Sequence, residues 1–167
     1  MEKPDLIHRG QQYAQPRGLT ITHELGAGVH GIVFSAQSQS KNGRVALKVF
    51  AREIDYRRER DVYLRLNEYD ITLIRGCNVP EMLAYDDTAH VIEMTIVARP
   101  FVLDFAGAYL DTRPDFSEEV MADWEAEKRE QFETRWPEVQ AILRALEGHG
   151  VFMVDVNPGN ISFDKSA

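Results

Sequence analysis

Apolar and polar residues alternate over three short runs near the start of the chain, "LTITHEL" from Leu19, "GIVFSAQSQ" from Gly31 and "RVALKVF" from Arg44. A period of two marks a strand with one face turned to a core. Glycine, serine and asparagine cut the runs, the second cut being "SKNG" at Ser40 to Gly43, so the pattern predicts a three-stranded antiparallel meander. The period then changes. In "EIDYRRERDVYLRLNEYD", Tyr56, Glu59, Val62, Tyr63 and Leu66 recur three or four apart and predict one helix. Two more strands follow, "PEMLAY" and "HVIEMTIV", parted by the polar turn "DDTA" at Asp86 to Ala89.

The second part of the chain reads differently. "ARPFVLDFAGAYL" is apolar but interrupted and gives no assignable period. Beyond it, Asp115 or Ser117 can cap a charged helix from about Glu118, and Pro137 opens another with Val139, Ile142, Leu143 and Leu146 on one face. "EGHG" ends that helix, and "VFMVDVNPGNISF" is two apolar pieces around a polar turn. The expected class is α+β, a five-stranded antiparallel sheet with one helix over residues 1–104, then a mostly helical part over residues 105–167.

Composition narrows the functions open to such a chain. At 167 residues it has the size of one ordinary domain, and with Cys77 as its one cysteine it has no disulfide framework. A cytoplasmic setting is expected, since no secretory leader stands at the N-terminus and Glu93, Arg99 and Pro100 break the longest apolar stretch. The net charge of −8 is concentrated, with nine acidic residues against three basic ones between Asp115 and Glu138. A phosphate-backbone binder carries the opposite sign, so neither nucleic acid nor a membrane is an expected partner. The five histidines show no metal-ligand spacing with the cysteine.

Chemistry concentrates in two places. Gly26, Gly28 and Gly31 followed by Val33 give G-x-G-x-x-G-x-V, and Lys48 stands seventeen residues after Gly31 on the third alternating run. Glycines let backbone approach phosphates without side-chain clash, and an ammonium on a strand supplies a fixed cation. Near the other end, Asp155 and Asn160 stand five apart in "DVNPGN".

In that order these motifs resemble the glycine-rich loop, third-strand lysine and catalytic loop of the protein-kinase-like family. The resemblance implies a kinase-like fold with a reduced C-terminal lobe, and ATP and magnesium as cofactors. It implies that Gly26, Gly28 and Gly31 cover the phosphates, that Lys48 clamps them, and that Glu59 holds the lysine. Glu53 and Glu68 are the other candidates for that glutamate. Val33 and Ala46 would cover the adenine, and Glu93, Met94 and Thr95 would offer backbone edges at the hinge. Asp155 would accept the proton of the attacking hydroxyl and Asn160 would ligate magnesium. His30, inside the glycine loop, is either a phosphate contact or an exposed tip residue.

Departures from the family pattern set the expected activity. Met153 and Val154 stand where many kinases have His-Arg, and Asn157 stands where protein kinases often have lysine. No Asp-Phe-Gly follows before Ala167, and Asp164, only four residues after Asn160, reads as a turn residue. The expectation is therefore a nucleotide-binding phosphotransferase of unknown acceptor, weak or inactive. The alternatives are a pseudokinase acting as a protein-binding or regulatory module, or a fragment whose continuation carries the missing aspartate. A protein partner or a second copy of the chain is the expected macromolecular contact.

Overall fold

Branched and aromatic residues hold the three alternating runs in extended backbone, and the runs become β1 (Leu19–Gly28), β2 (Gly31–Ser38) and β3 (Arg44–Phe50). These coordinates are a computed structural model that describes residues 3–39, 43–102 and 104–164. Of the expected turn "SKNG", Ser40, Lys41 and Asn42 lie outside the described residues. Ahead of β1 stands α1 (Lys3–Ala14), and after β3 comes α2 (Glu53–Glu68). The rest of the chain carries β4 (Leu73–Ile74), β5 (Cys77–Asn78), β6 (Met82–Asp86), β7 (Val91–Thr95), β8 (Phe101–Val102), β9 (Tyr109–Leu110), α3 (Glu118–Phe132), α4 (Trp136–Glu147), β10 (Val151–Phe152) and β11 (Ile161–Ser162).

Two compact units share these elements. The first comprises Met1–Tyr63 and Pro80–Ile96, the second Leu64–Val79 and Val97–Ala167. Both are discontinuous in sequence, because residues 64–79 leave the first unit before β6 returns to it. A single cut at residue 104 does not contain that excursion.

In the first unit five strands form one antiparallel sheet in the order β1-β2-β3-β7-β6. This is the predicted α+β arrangement of five strands with a helix after the third. Pairing aligns Val33, Lys48 and Ile92 in one row and Ser35, Ala46 and Met94 in the next. Alternation turns those rows to one face and Ile32, Val49, Val91, Phe34 and Leu47 to the other.

Helix α1, which the sequence reading did not anticipate, covers that second face with Leu6, Tyr13 and Ala14 and closes an apolar core with the strand residues. Pro4 fits its first turn, where a missing N–H costs nothing. Gly10 lets the helix approach closely, since a Cβ there would lie 3.2 Å from Val49 Cγ2 and 3.4 Å from Phe34 Cε2.

The second unit is helical with short strand pairs, β9 with β10 and a four-stranded sheet in the order β11-β8-β5-β4. Strands β5 and β8 run parallel. The interrupted segment that gave no period thus holds β8 and β9. Ser117 caps α3, its hydroxyl accepting from the Val120 N–H at 3.3 Å, and Pro137 sits in the first turn of α4. Buried Val139, Ile142 and Leu146 form the predicted inner face of α4. Burial raises the Cys77 thiol in this unit, a packed rather than a reactive cysteine.

Candidate functional site

The candidate residues divide between the two units. In the first, Gly28 pairs with Gly31 across the tip of the β1–β2 hairpin and Gly26 pairs with Val33. The three glycines are not equivalent. A Cβ on Gly31 would lie 2.1 Å from the Val49 carbonyl oxygen, so close passage of β3 requires glycine there. Nothing stands within 4 Å of a Cβ placed on Gly26 or Gly28, and neither has a left-handed backbone. Folding alone does not require glycine at those two positions.

The tip is fastened to the junction of β3 and α2. The Ala51 N–H donates to the His30 carbonyl at 2.9 Å, and His30 Nδ1 lies 3.4 Å from Asp55 Oδ2 in the first turn of α2. Arg52 holds the same carboxylate with two hydrogen bonds of 2.6 and 2.9 Å. Burial alone would raise the Asp55 carboxyl, but Arg52 and His30 outweigh it and hold it below the usual range. His30 is thus neither a bare tip residue nor free of the fold.

Lys48 projects from β3 beside Val33, and its Nζ donates to both oxygens of Glu59 at 2.8 and 2.7 Å. Glu59 is fully buried and Lys48 is 4% exposed. The competing glutamates are elsewhere: Glu53 binds Arg57 on the helix surface, and Glu68 is exposed at the helix end. On the same sheet face, Ala46 and Met94 pair side by side, and Tyr63 donates to Met94 Sδ at 3.6 Å. The buried Ser35 hydroxyl on this face has no hydrogen-bond partner among the described residues.

Glu93, Met94 and Thr95 depart from the predicted hinge role. All three belong to β7, an inner strand between β3 and β6, so their backbone groups are committed to the sheet, the Thr95 N–H reaching the Glu81 carbonyl at 2.9 Å. The Glu93 side chain points to the α1 face, where it accepts from the Tyr13 hydroxyl at 3.1 Å. Burial and this carboxylate raise the Tyr13 phenol. The predicted register stops too early, because the apolar run "HVIEMTIV" carries no mark of where pairing with β3 ends.

In the second unit the turn after β10 brings Asp155 and Asn160 together. Asn160 is 8% exposed and donates from Nδ2 to the Asp155 carbonyl at 2.7 Å, which fixes the amide plane. Asn157 supports both ends: its Nδ2 donates to Asp155 Oδ1 at 3.0 Å, and its Oδ1 accepts from the Gly159 N–H at 2.8 Å and the Asn160 N–H at 3.2 Å. The position read as a departure from the family pattern is the pivot of the turn. An asparagine ahead of Pro-Gly signals such a side-chain-capped turn. Asp155 itself is exposed. Trp124 is half-buried, and its indole N–H donates to the Val154 carbonyl at 3.3 Å.

Among the described residues, no group of three or more histidine, cysteine or acidic side chains could hold a metal ion, and no helix is long and apolar enough to cross a membrane. No protein-family model matches the chain, and no curated protein matches it. Among solved structures, two of the PknI kinase domain of Mycobacterium tuberculosis are similar at 20% and 21% identity, with TM-scores of 0.40 and 0.39 and 86% of this chain covered in each. A double mutant of the same domain is similar at 21% identity and a TM-score of 0.41, with 88% of this chain covered. This chain spans only 53 to 55% of the length of those domains.

Proposed function

We propose that the chain binds ATP through its first unit in the manner of a kinase-like domain, with the β1–β2 hairpin over the phosphates and Lys48 as their cation. The observation that carries this reading is the buried Lys48–Glu59 pair on the strand next to a hairpin whose Gly26 and Gly28 the fold does not need. A buried ion pair is a poor stabiliser, since apolar residues of similar volume often do as well. Stability therefore does not account for its presence. Val33 and Ala46 are the residues assigned to the base.

In this reading Asp155 is the group that takes the proton of an attacking hydroxyl, and Asn160 is the ligand to magnesium. The fixed Asn160 amide fits that task, because Nδ2 is tied to the Asp155 carbonyl and the amide oxygen is left for a cation. Magnesium, when bound, neutralises developing phosphate charge. Magnesium commonly takes few side-chain ligands, and no group of three histidine, cysteine or acidic side chains that could hold it stands among the described residues. That poverty of ligands favours a second reading for the chemistry, in which nucleotide binds and little or none of it is transferred, as in a pseudokinase module.

Titration calorimetry with magnesium and ATP on wild type and Gly28→Val tests the binding. Valine suits an extended strand and its Cβ has no neighbour within 4 Å, so stability to urea should hold within about 0.5 kcal/mol. Affinity should fall about tenfold or more, because a branched side chain then stands where backbone must approach phosphate. Equal affinity in both proteins, or no heat in either, contradicts the proposal.

A further inference from the structure

The second unit contains a cavity of about 460 Å³ that none of the residues assigned above lines. Its walls come from the start of α3, the face of α4 and the chain after β10. Phe116, Met121, Trp124, Leu143 and Phe152 are among the apolar residues that line it. Phe116, Val120 and Met121 are exposed, whereas most large apolar side chains of this chain are buried. A volume of this size, mostly apolar with a few polar groups, suits a single small molecule.

The polar side has a definite charge. Arg113 Nη2 meets Glu147 Oε2 at 2.6 Å, and the guanidinium lies 5.4 Å above the Phe152 ring, so its positive charge is already matched. Asp115 also lines the cavity and makes no ion pair among the described residues. The lining therefore holds one carboxylate with no ion pair among the described residues together with three aromatic residues, a combination that attracts a cation and disfavours an anion. The chain as a whole, at net charge −8, adds to that bias.

We propose that this cavity binds a small organic cation with an aromatic or branched aliphatic body, the cationic group facing Asp115 and the body lying among Phe116, Trp124 and Phe152. The site is independent of the nucleotide reading, whose ligand is an anion. Neither stands or falls with the other.

Nuclear magnetic resonance of the uniformly ¹⁵N-labelled chain tests it, because only two tryptophans give indole signals and Trp136→Phe assigns the one from Trp124. The probes are 3-phenylpropylamine and its anionic counterpart 3-phenylpropionate. The Trp124 indole signal should move saturably with the amine, with a Kd in the millimolar range expected of so small a molecule. The carboxylate should bind about fivefold more weakly, and Asp115→Asn should weaken the amine about threefold without touching the core. No saturable movement with the amine, equal binding of the two probes, or an unchanged Kd in Asp115→Asn each overturns the proposal.

Discussion

Glu59 shows how a buried charge can be read from spacing. Offsets of three, four and seven to Val62, Tyr63 and Leu66 put it on the inward face of α2, and that face decided between it and the two other glutamates. Only eleven residues separate it from Lys48, yet they suffice. Strand β3 ends at Phe50 and α2 begins at Glu53, so Glu59 stands about 9 Å up the helix axis. Removing one partner leaves the other charge buried and alone. Glu59→Ala should therefore cost about 3–5 kcal/mol in urea denaturation, and Lys48→Met with Glu59→Leu should recover most of that loss. A single variant as stable as wild type would show that the pair is wet rather than buried. What spacing could not show was the end of β7, since Glu93, Met94 and Thr95 look alike whether paired or free.

At the scale of elements, long periodic segments were legible and short or mixed ones were not. The strands β1, β2 and β3 and the helices α2 and α4 each repeat their period several times, and α3 is marked instead by its cap and its run of charges. The pairs β8 with β11 and β9 with β10 have two residues each, too few to show any period, and depend on partners far along the chain. Helix α1 escaped for another reason. Leu6, Gly10, Tyr13 and Ala14 do recur at helical spacing, but glycine hides one of the four contacts and, apart from Pro4 and Ile7, the remaining residues are polar. Gly10→Val tests the account of its packing. The added methyls would meet Val49 and Phe34 within an already filled layer, and thermal unfolding should report a loss of about 1–3 kcal/mol. An unchanged melting temperature would mean that α1 can lift from the sheet without cost.

For the whole molecule, the order of elements gave the α+β class and the five-stranded sheet, because local pattern is enough to place strands and helices in sequence. The division into units was not legible. Residues 64–79 belong to the second unit because β5 pairs with β8, and a parallel pairing across that distance leaves no local trace. The candidate site was legible where chemistry demands unusual residues, glycines at a hairpin or a lysine amid apolar neighbours. It was illegible at Asn157, whose work is done by ordinary turn geometry.

Hydrogen exchange of the full chain, with and without saturating magnesium and ATP, tests the central claim most directly, since it reports where nucleotide protects backbone. Exchange should slow several-fold in the hairpin from Gly26 to Val33 and in β3 around Lys48, and Gly28→Val should need about tenfold more nucleotide for the same protection. Unaltered exchange throughout the hairpin at saturating nucleotide would contradict the account.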